Sequence, residues 1–265
     1  NEIYGVFLQW DSKPFQDLYL SFSARNDEHS EFGSHATWKS TLAYTPRHNT
    51  KIRGSYGTGF RAPSLFELFD SQFGNPDLDP ETSDSWDLGI DQEFGKDQAT
   101  FSVTYFNLEI TDQIDFTFPQ GYVQISGESL RRGVELSLSG KIGKHAQVTT
   151  SYTHMIDAES TSGAPLLRVP EHDLSVVSHY SREEWTLSGI LRFISGVQDL
   201  NNDPEGPETA ELDAYWVLGC RVSYELRPGK ILFVRLENIF DEQYQEVAGY
   251  GTADASAYLG LQLKY

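Results

Sequence analysis

At 265 residues and a formal net charge of −19, the chain lacks the basic footprint that nucleic-acid phosphates demand, so nucleic acid is excluded as a partner. Its single cysteine, Cys220, excludes an intrachain disulfide framework and a cysteine-rich metal site. Hydrophobic residues make up only 38% while aromatics reach 13%, with 14 Tyr and 16 Phe against one Met, a balance that favours strands over helical bundles. No run approaches the roughly 20 apolar residues of a membrane-spanning helix. That does not exclude a membrane barrel, whose strands alternate apolar and polar residues. No secretory signal opens the chain, so the expectation is that one was removed or that the natural start lies elsewhere.

Period-two alternation dominates from the N-terminus onward. In 17–25, Leu18, Leu20, Phe22 and Ala24 oppose Tyr19, Ser21, Ser23 and Arg25. Phe101, Val103 and Tyr105 oppose Ser102 and Thr104, and Val134, Leu136 and Leu138 alternate with Glu135, Ser137 and Ser139. Leu187, Leu191 and Phe193 oppose Ser188 and Arg192; Trp216, Leu218, Cys220, Val222 and Tyr224 oppose Gly219, Arg221, Ser223 and Glu225. Leu259, Leu261, Leu263 and Tyr265 close the series. Such alternation means strands with one wet face. About thirteen segments follow the rule: 3–10, 17–25, 35–45, 50–57, 82–94, 98–116, 122–142, 146–157, 171–181, 184–195, 212–226, 230–238 and 257–265. Many exceed the usual globular strand length and suit a tilted membrane strand.

The connections also alternate. Short turns at 45–49, 95–97, 143–145, 181–183 and 227–229 separate long ones at 26–34, 58–81, 158–170, 196–211 and 239–256, with a tighter tip at Pro119-Gln120-Gly121. Outer-membrane barrels sort their loops this way, with short periplasmic turns and long outer loops. The wet face then lines a lumen and the apolar face meets lipid. Trp10, Tyr44, Tyr56, Trp86, Tyr152, Tyr180, Trp185 and Tyr224 fall near strand ends, as interfacial girdles require. If the last strand runs inward, the first does too, giving an odd count. Single-chain bacterial barrels have even counts, so the segment is expected to be part of a larger barrel.

The longest connection carries the most distinctive sequence. Gly57-Thr58-Gly59-Phe60-Arg61-Ala62-Pro63-Ser64 is followed by Gly74-Asn75-Pro76, then Leu78, Pro80-Glu81, Trp86 and Leu88-Gly89. Further on stand Arg132-Gly133-Val134-Glu135-Leu136, Glu237-Asn238-Ile239-Phe240-Asp241-Glu242-Gln243-Tyr244, and a final strand ending on an aromatic residue. This ordered set resembles the TonB-dependent outer-membrane receptors over essentially residues 1–265. The resemblance implies an all-β fold, an antiparallel transmembrane β-barrel: about the last thirteen strands of a barrel of about 22 whose lumen is plugged. The plug domain and the earlier strands lie outside this chain. Tyr244-Gln245-Glu246-Val247-Ala248-Gly249-Tyr250 is most similar to the cobalamin-receptor branch, although Ala253-Asp254-Ala255-Ser256 departs from that branch's Gly-Arg pair.

The implied function is energy-coupled uptake of a scarce metal chelate, cobalamin or another corrinoid first, a ferric siderophore or haem second. The implied partners are the lipid bilayer, the plug and remaining strands, the TonB energy-coupling protein acting through the plug, and the chelate. A passive pore or structural scaffold is the alternative of a different class; a soluble binding domain is a third. No catalytic constellation is recognisable, and the seven histidines read as solvated or lumen residues. The candidate ligand contacts are outer-loop aromatics and arginine: Phe116, Phe118, Tyr122, Arg168, Tyr244 and Tyr250. No cofactor is required by this reading. Asp199, Asn201, Asp203 and Glu205 offer alternating oxygen ligands of the kind Ca²⁺ accepts, without the twelve-residue loop pattern that ends in a bidentate Glu.

Overall fold

The computed structural model of the chain describes residues 2–95, 98–125, 127–160, 163–201 and 209–264. Its elements in chain order are β1 (Ile3–Phe15), β2 (Leu18–His29), β3 (Gly33–Arg47), β4 (Thr50–Arg61), α1 (Leu65–Phe69), β5 (Glu81–Phe94) and β6 (Ala99–Thr111). Then follow β7 (Ile114–Thr117), β8 (Gly121–Gln124), β9 (Glu128–Ile142), β10 (Ala146–Ser160), β11 (His172–Arg182), β12 (Trp185–Ser195), β13 (Val197–Leu200) and β14 (Thr209–Leu212). The last are β15 (Tyr215–Arg227), β16 (Lys230–Glu237), β17 (Gln245–Val247), β18 (Tyr250–Gly251) and β19 (Ser256–Leu263). Thirteen long strands form one sheet in the order β1-β2-β3-β4-β5-β6-β9-β10-β11-β12-β15-β16-β19, so each long strand neighbours the next in the chain. Three small hairpins, β7-β8, β13-β14 and β17-β18, sit in long connections outside that sheet.

The thirteen expected segments are all present, with boundaries that local backbone chemistry moves. The segment 98–116 stops at Thr111 because Asp112 turns left-handed, φ 57°. The segment 122–142 divides at Gly127, φ 91°, a conformation that costs glycine little. The expected long connection 26–34 is instead a tight one, since β2 continues to His29 and β3 begins at Gly33. The connection 58–81 begins later than expected, at residue 62, and contains a helical turn.

The residues pack as two units, one of Asn1–Asp91, Thr104–Gly133 and Ile156–Leu166, the other of Gln92–Val103, Val134–Met155 and Leu167–Tyr265. In the first, antiparallel register sets Leu20 opposite Leu42 and Ala24 opposite Trp38. The Trp38 ring stacks on Tyr56 at 5.0 Å between centroids, and Trp86 lies 5.3 Å from Tyr105. The alternate residues carry charge. Arg53 reaches Asp91 at 3.3 Å and Asp87 at 3.7 Å, and donates to the Thr104 hydroxyl at 2.6 Å.

The second unit repeats this two-faced pattern. Leu187 opposes Val222, Leu191 opposes Leu218, Val222 opposes Val234 and Leu232 opposes Leu261. On the other face Arg192 pairs with Asp173 at 3.1 Å and Arg221 lies opposite Arg235. Aromatic pairs mark both ends of the apolar face: Trp185 with Tyr224 at 4.8 Å beside a short turn, and Phe193 with Trp216 at 4.5 Å beside a long connection. Trp185 and Phe193 are separated by roughly 26 Å of strand, on the order of the ~25 Å apolar band of an outer-membrane barrel. Leu187, Leu232, Val234, Leu259 and Leu261 stand exposed between them. A continuous exposed apolar face of this kind is made for lipid.

Among the described residues, few apolar side chains of the long strands are buried. Buried apolar residues instead gather where long connections pack: Leu68, Leu78 and Ile114 in the first unit, and Ile194, Val197 and Tyr215 in the second.

Candidate functional site

In the first unit the site begins with how α1 starts. Ser64 accepts a hydrogen bond from the Glu67 backbone N–H at 3.2 Å, and the Glu67 carboxylate accepts from the Ser64 N–H at 2.6 Å. This reciprocal capping box nucleates a helical turn too short to persist on propensity alone. Arg61, the last residue of β4, donates to Glu67 at 3.0 Å and also pairs with Glu81. Burial pushes the Glu67 carboxyl up, but hydrogen bonds from Ser64 and Arg61 outweigh it and hold the group below its usual value.

The Gly74–Glu81 segment then acts as a clamp on the β7-β8 hairpin. Tyr122 N–H donates to the Phe73 carbonyl at 2.9 Å, and the Asn75 side chain donates to the Tyr122 carbonyl at 3.1 Å. Asp79 and Gln124 exchange two hydrogen bonds, 2.8 and 2.9 Å, and Ile114 N–H donates to Glu81 at 2.6 Å. Beneath them Leu78, only 2% exposed, packs with Leu68, Ile114, Phe32 and Tyr122. At Gly121, φ 89°, a Cβ would sit 2.4 Å from the Phe73 oxygen, so glycine alone permits this approach.

This clamp leaves an aromatic surface outside. Phe66, Phe69 and Phe118 are exposed, Phe118 at 76%. Phe116 packs edge-on to Phe73 at 5.4 Å and to Tyr122 at 5.2 Å. The structure thus brings Phe116, Phe118 and Tyr122 together around Phe73 and adds Phe66, whose ring meets Tyr122 edge-on at 6.0 Å. The Phe66 and Phe69 spacing of three was the available signal; it becomes meaningful only once the capping box makes 65–69 helical.

The second unit organises its connections around a buried carboxylate. Asp199 in β13 is 1% exposed. Its Oδ1 accepts from Arg168 Nε and Leu200 N–H, both at 2.9 Å, and its Oδ2 accepts from Ala248 N–H at 2.8 Å. Burial pushes the carboxyl up, yet the Ala248, Leu200 and Arg168 hydrogen bonds prevail and hold it below the ordinary range. One side chain therefore ties the β10-β11 connection, β13 and the β17-β18 hairpin. Asn238, φ 47° and 5% exposed, performs a similar service nearby, donating to the Glu242 and Ala253 carbonyls at 3.0 Å each.

Tyr244 stacks on Tyr215 at 4.2 Å against the Ile194 and Val197 cluster. Both tyrosines line a cavity of about 340 Å³ with Arg192, Glu246, Asn238 and Asp254. Tyr250 is 73% exposed at the β17-β18 tip. Of the expected ligand contacts, Arg168 spends its Nε on Asp199, and Tyr244 spends one ring face on Tyr215. Tyr215 was not singled out from the sequence, where it reads as an ordinary strand-end residue; Asn238 stood there as part of the Glu237–Tyr244 motif with no contact assigned to it. Of the expected calcium ligands, Asp199 already accepts three internal hydrogen bonds. Asp203 and Glu205 lie outside the described residues, and Asn201 follows β13 directly.

Comparison with known proteins places this architecture. A family profile described as TonB dependent receptor-like, beta-barrel, matches residues 1–239. The vitamin B12 transporter BtuB of Vibrio cholerae serotype O1 (strain ATCC 39541 / Classical Ogawa 395 / O395) is 27% identical over 256 residues, covering 95% of this chain and 41% of that protein. Vitamin B12 transporter BtuB of Vibrio vulnificus (strain YJ016) is 30% identical over 235 residues, 86% of this chain and 36% of the relative. The chain thus spans about 40% of the length of the curated relatives it matches. Among solved structures, the siderophore receptor PirA of Acinetobacter baumannii superposes with a TM-score of 0.83 at 18% identity, covering 99% of this chain and 46% of that one. The ferripyoverdine receptor of Pseudomonas aeruginosa, bound to ferripyoverdine, gives 0.80 at 18% identity, covering 98% and 38%. With two-faced strands, aromatic ends, long connections on alternate turns and a family match over most of its length, the chain belongs to the TonB-dependent receptor β-barrel family of the bacterial outer membrane.

Proposed function

We propose that the chain forms part of an outer-membrane receptor for energy-coupled uptake of cobalamin or a related corrinoid. The observation that carries this reading is sequence identity of 27–30% to proteins named as vitamin B12 transporters, across 86–95% of this chain. The siderophore receptors share the fold at 18% identity. They favour a second reading, a ferric siderophore as cargo. The Tyr244–Tyr250 segment supports the first, and the Ala253–Ser256 departure is the residue-level reason to test it.

In this function the strands supply a wall between bilayer and lumen, and the long connections supply ligand contacts. The aromatic surface of Phe66, Phe69, Phe116 and Phe118 offers broad apolar area to a planar ligand. The second unit by itself offers polar contacts from Tyr244, Tyr250 and Arg168 and a cavity of about 340 Å³ lined by Tyr215 and Tyr244. A plug within the lumen, driven by the TonB protein, would release the cargo inward. The chain performs no chemistry on its cargo in this reading.

The experiment is purification of the native protein in detergent, with mass spectrometry of co-purifying chains and ligand. A plug-bearing polypeptide together with a bound corrinoid is the expected result. A bound ferric siderophore selects the second reading. A complete barrel lacking any plug identifies a passive pore or scaffold and overturns both.

A further inference from the structure

Four residues at the long-connection end of β10 and β11 stand apart from the loops discussed above. His154 and His172 are directly opposite in the antiparallel register. Their rings stack with centroids 4.8 Å apart and planes inclined by 16°. Glu171 precedes His172, and its backbone is fixed from both sides: its carbonyl accepts from Met155 N–H at 2.8 Å, and its N–H donates to the Gly196 carbonyl at 3.2 Å. One donor atom from each of His154, Glu171 and His172 lies within 4.8 Å of the others. Tyr152 completes the group, its hydroxyl 2.9 Å from His172 Nδ1.

From this arrangement we propose that His154, Glu171 and His172 bind a divalent transition-metal ion, with Zn²⁺ as the best match. Two features point to a ligand rather than to packing. His154 Nδ1 is buried with no hydrogen-bond partner among the described residues, and an unpaired buried nitrogen is costly. His172 Nε2 faces the Glu171 carboxylate at 3.4 Å. The Tyr152 hydroxyl and Nδ1 share a hydrogen bond whose direction follows the imidazole tautomer; in the tautomer in which Nδ1–H donates, Nε2 keeps a lone pair directed at the carboxylate, an arrangement that a cation between them completes. An outer partner that fixes the tautomer of a ligating imidazole is the usual arrangement, and the Tyr152 hydroxyl stands in that place.

The donor set selects the ion. Two imidazoles and one carboxylate suit Zn²⁺ with a fourth position left to water, whereas Ca²⁺ and Mg²⁺ take oxygen ligands. Cu²⁺ and Ni²⁺ bind the same donors and would compete. Tetrahedral coordination at about 2.0 Å places donor atoms roughly 3.4 Å apart, so the side chains must close by a little over an ångström. Glu171, 55% exposed at its side chain, has the freedom to do so.

The site is separate from the ligand cavity. Register places His172 on the face of Leu174, which opposes Phe193, while Asp173 and Arg192 occupy the other face. The ion would therefore clip β10 to β11 beside the outer aromatic level, on the membrane side of the sheet.

The test is isothermal titration of Zn²⁺ into the intact receptor, purified in detergent and stripped with a chelator, with Cu²⁺ electron paramagnetic resonance as a second readout. One Zn²⁺ per chain and a two-nitrogen Cu²⁺ signal are expected. His154→Ala and His172→Ala each weaken binding by roughly a hundredfold, and Tyr152→Phe by about tenfold. His145→Ala, at a turn on the opposite strand end, leaves it unchanged. Heat-modifiable gel migration verifies that each variant retains its barrel, and Glu171→Gln, which preserves shape, is expected to lose affinity in the same assay. Equal affinity in the wild type and in a His154→Ala/His172→Ala double variant would overturn the proposal, as would a Cu²⁺ spectrum with no nitrogen coupling.

Discussion

The two units stabilise their long connections by different physics. In the first, the Gly74–Glu81 segment grips the β7-β8 hairpin through backbone and amide hydrogen bonds over an apolar floor of Leu68, Leu78 and Ile114. In the second, a single buried carboxylate, Asp199, gathers three segments, with a tyrosine stack beside it. The first arrangement spreads its charge over Arg61, Glu67 and Glu81 at the edge of the packed floor and presents phenylalanines outward. The second concentrates its stability in one charge and leaves a polar cavity. A loop held by packing and several shared contacts survives the loss of one of them; a loop held chiefly by one carboxylate depends more heavily on that group.

The largest expected effect breaks the second unit's anchor. Asp199→Ala removes three charge-assisted hydrogen bonds and should cost about 3 kcal/mol of local stability. Hydrogen exchange across 163–171 and 245–251 should accelerate together, while 74–81 stays protected. Protonation should act in the same direction. Because the folded-state pKa of Asp199 is lowered from 3.8, its contribution is complete above that value and is lost as pH falls through the lowered one. Acid exchange measurements should thus loosen 245–251 before 121–124.

Next comes the first unit's close approach. Gly121→Val places a Cβ against the Phe73 carbonyl and forces a β-branched residue to a positive φ, costing about 2 kcal/mol. The hairpin should detach, read as proteolytic cleavage near 117–121 with the Asp199 network intact. Ser64→Ala removes the N-cap of α1 and should cost about 1 kcal/mol, seen as faster exchange at 66–68 alone. The smallest structural effect belongs to Phe118→Ala, within about 0.5 kcal/mol because the ring is mostly exposed. Its consequence should fall on ligand affinity, measured by equilibrium binding. Unchanged affinity would remove Phe118 from the site.

The strands were legible in the sequence because alternation is a local property: Leu187, Leu191 and Phe193 announce their common face without any partner. The family was legible because Gly74-Asn75-Pro76 and Glu237-Asn238 recur as ordered motifs. Their roles were less so. Asn75 and Asn238 act through side-chain hydrogen bonds to residues 47 and 15 positions away, Tyr122 and Ala253, which no local pattern encodes. Asp199 illustrates the same limit. Its neighbours in sequence suggested cation ligands, while its partners in space are Arg168 and Ala248. His154 and His172, eighteen residues apart, meet only because the β10-β11 register pairs them.

Corrinoid uptake is the function proposed for the receptor of which this barrel segment is a part. It is tested most directly by accumulation of radiolabelled cyanocobalamin in cells carrying the intact receptor as their only candidate transporter, with and without the TonB protein. Saturable accumulation that requires TonB and is not competed by ferric enterobactin is the expected result. Accumulation of the ferric siderophore instead, or cobalamin entry that is indifferent to TonB, would contradict it.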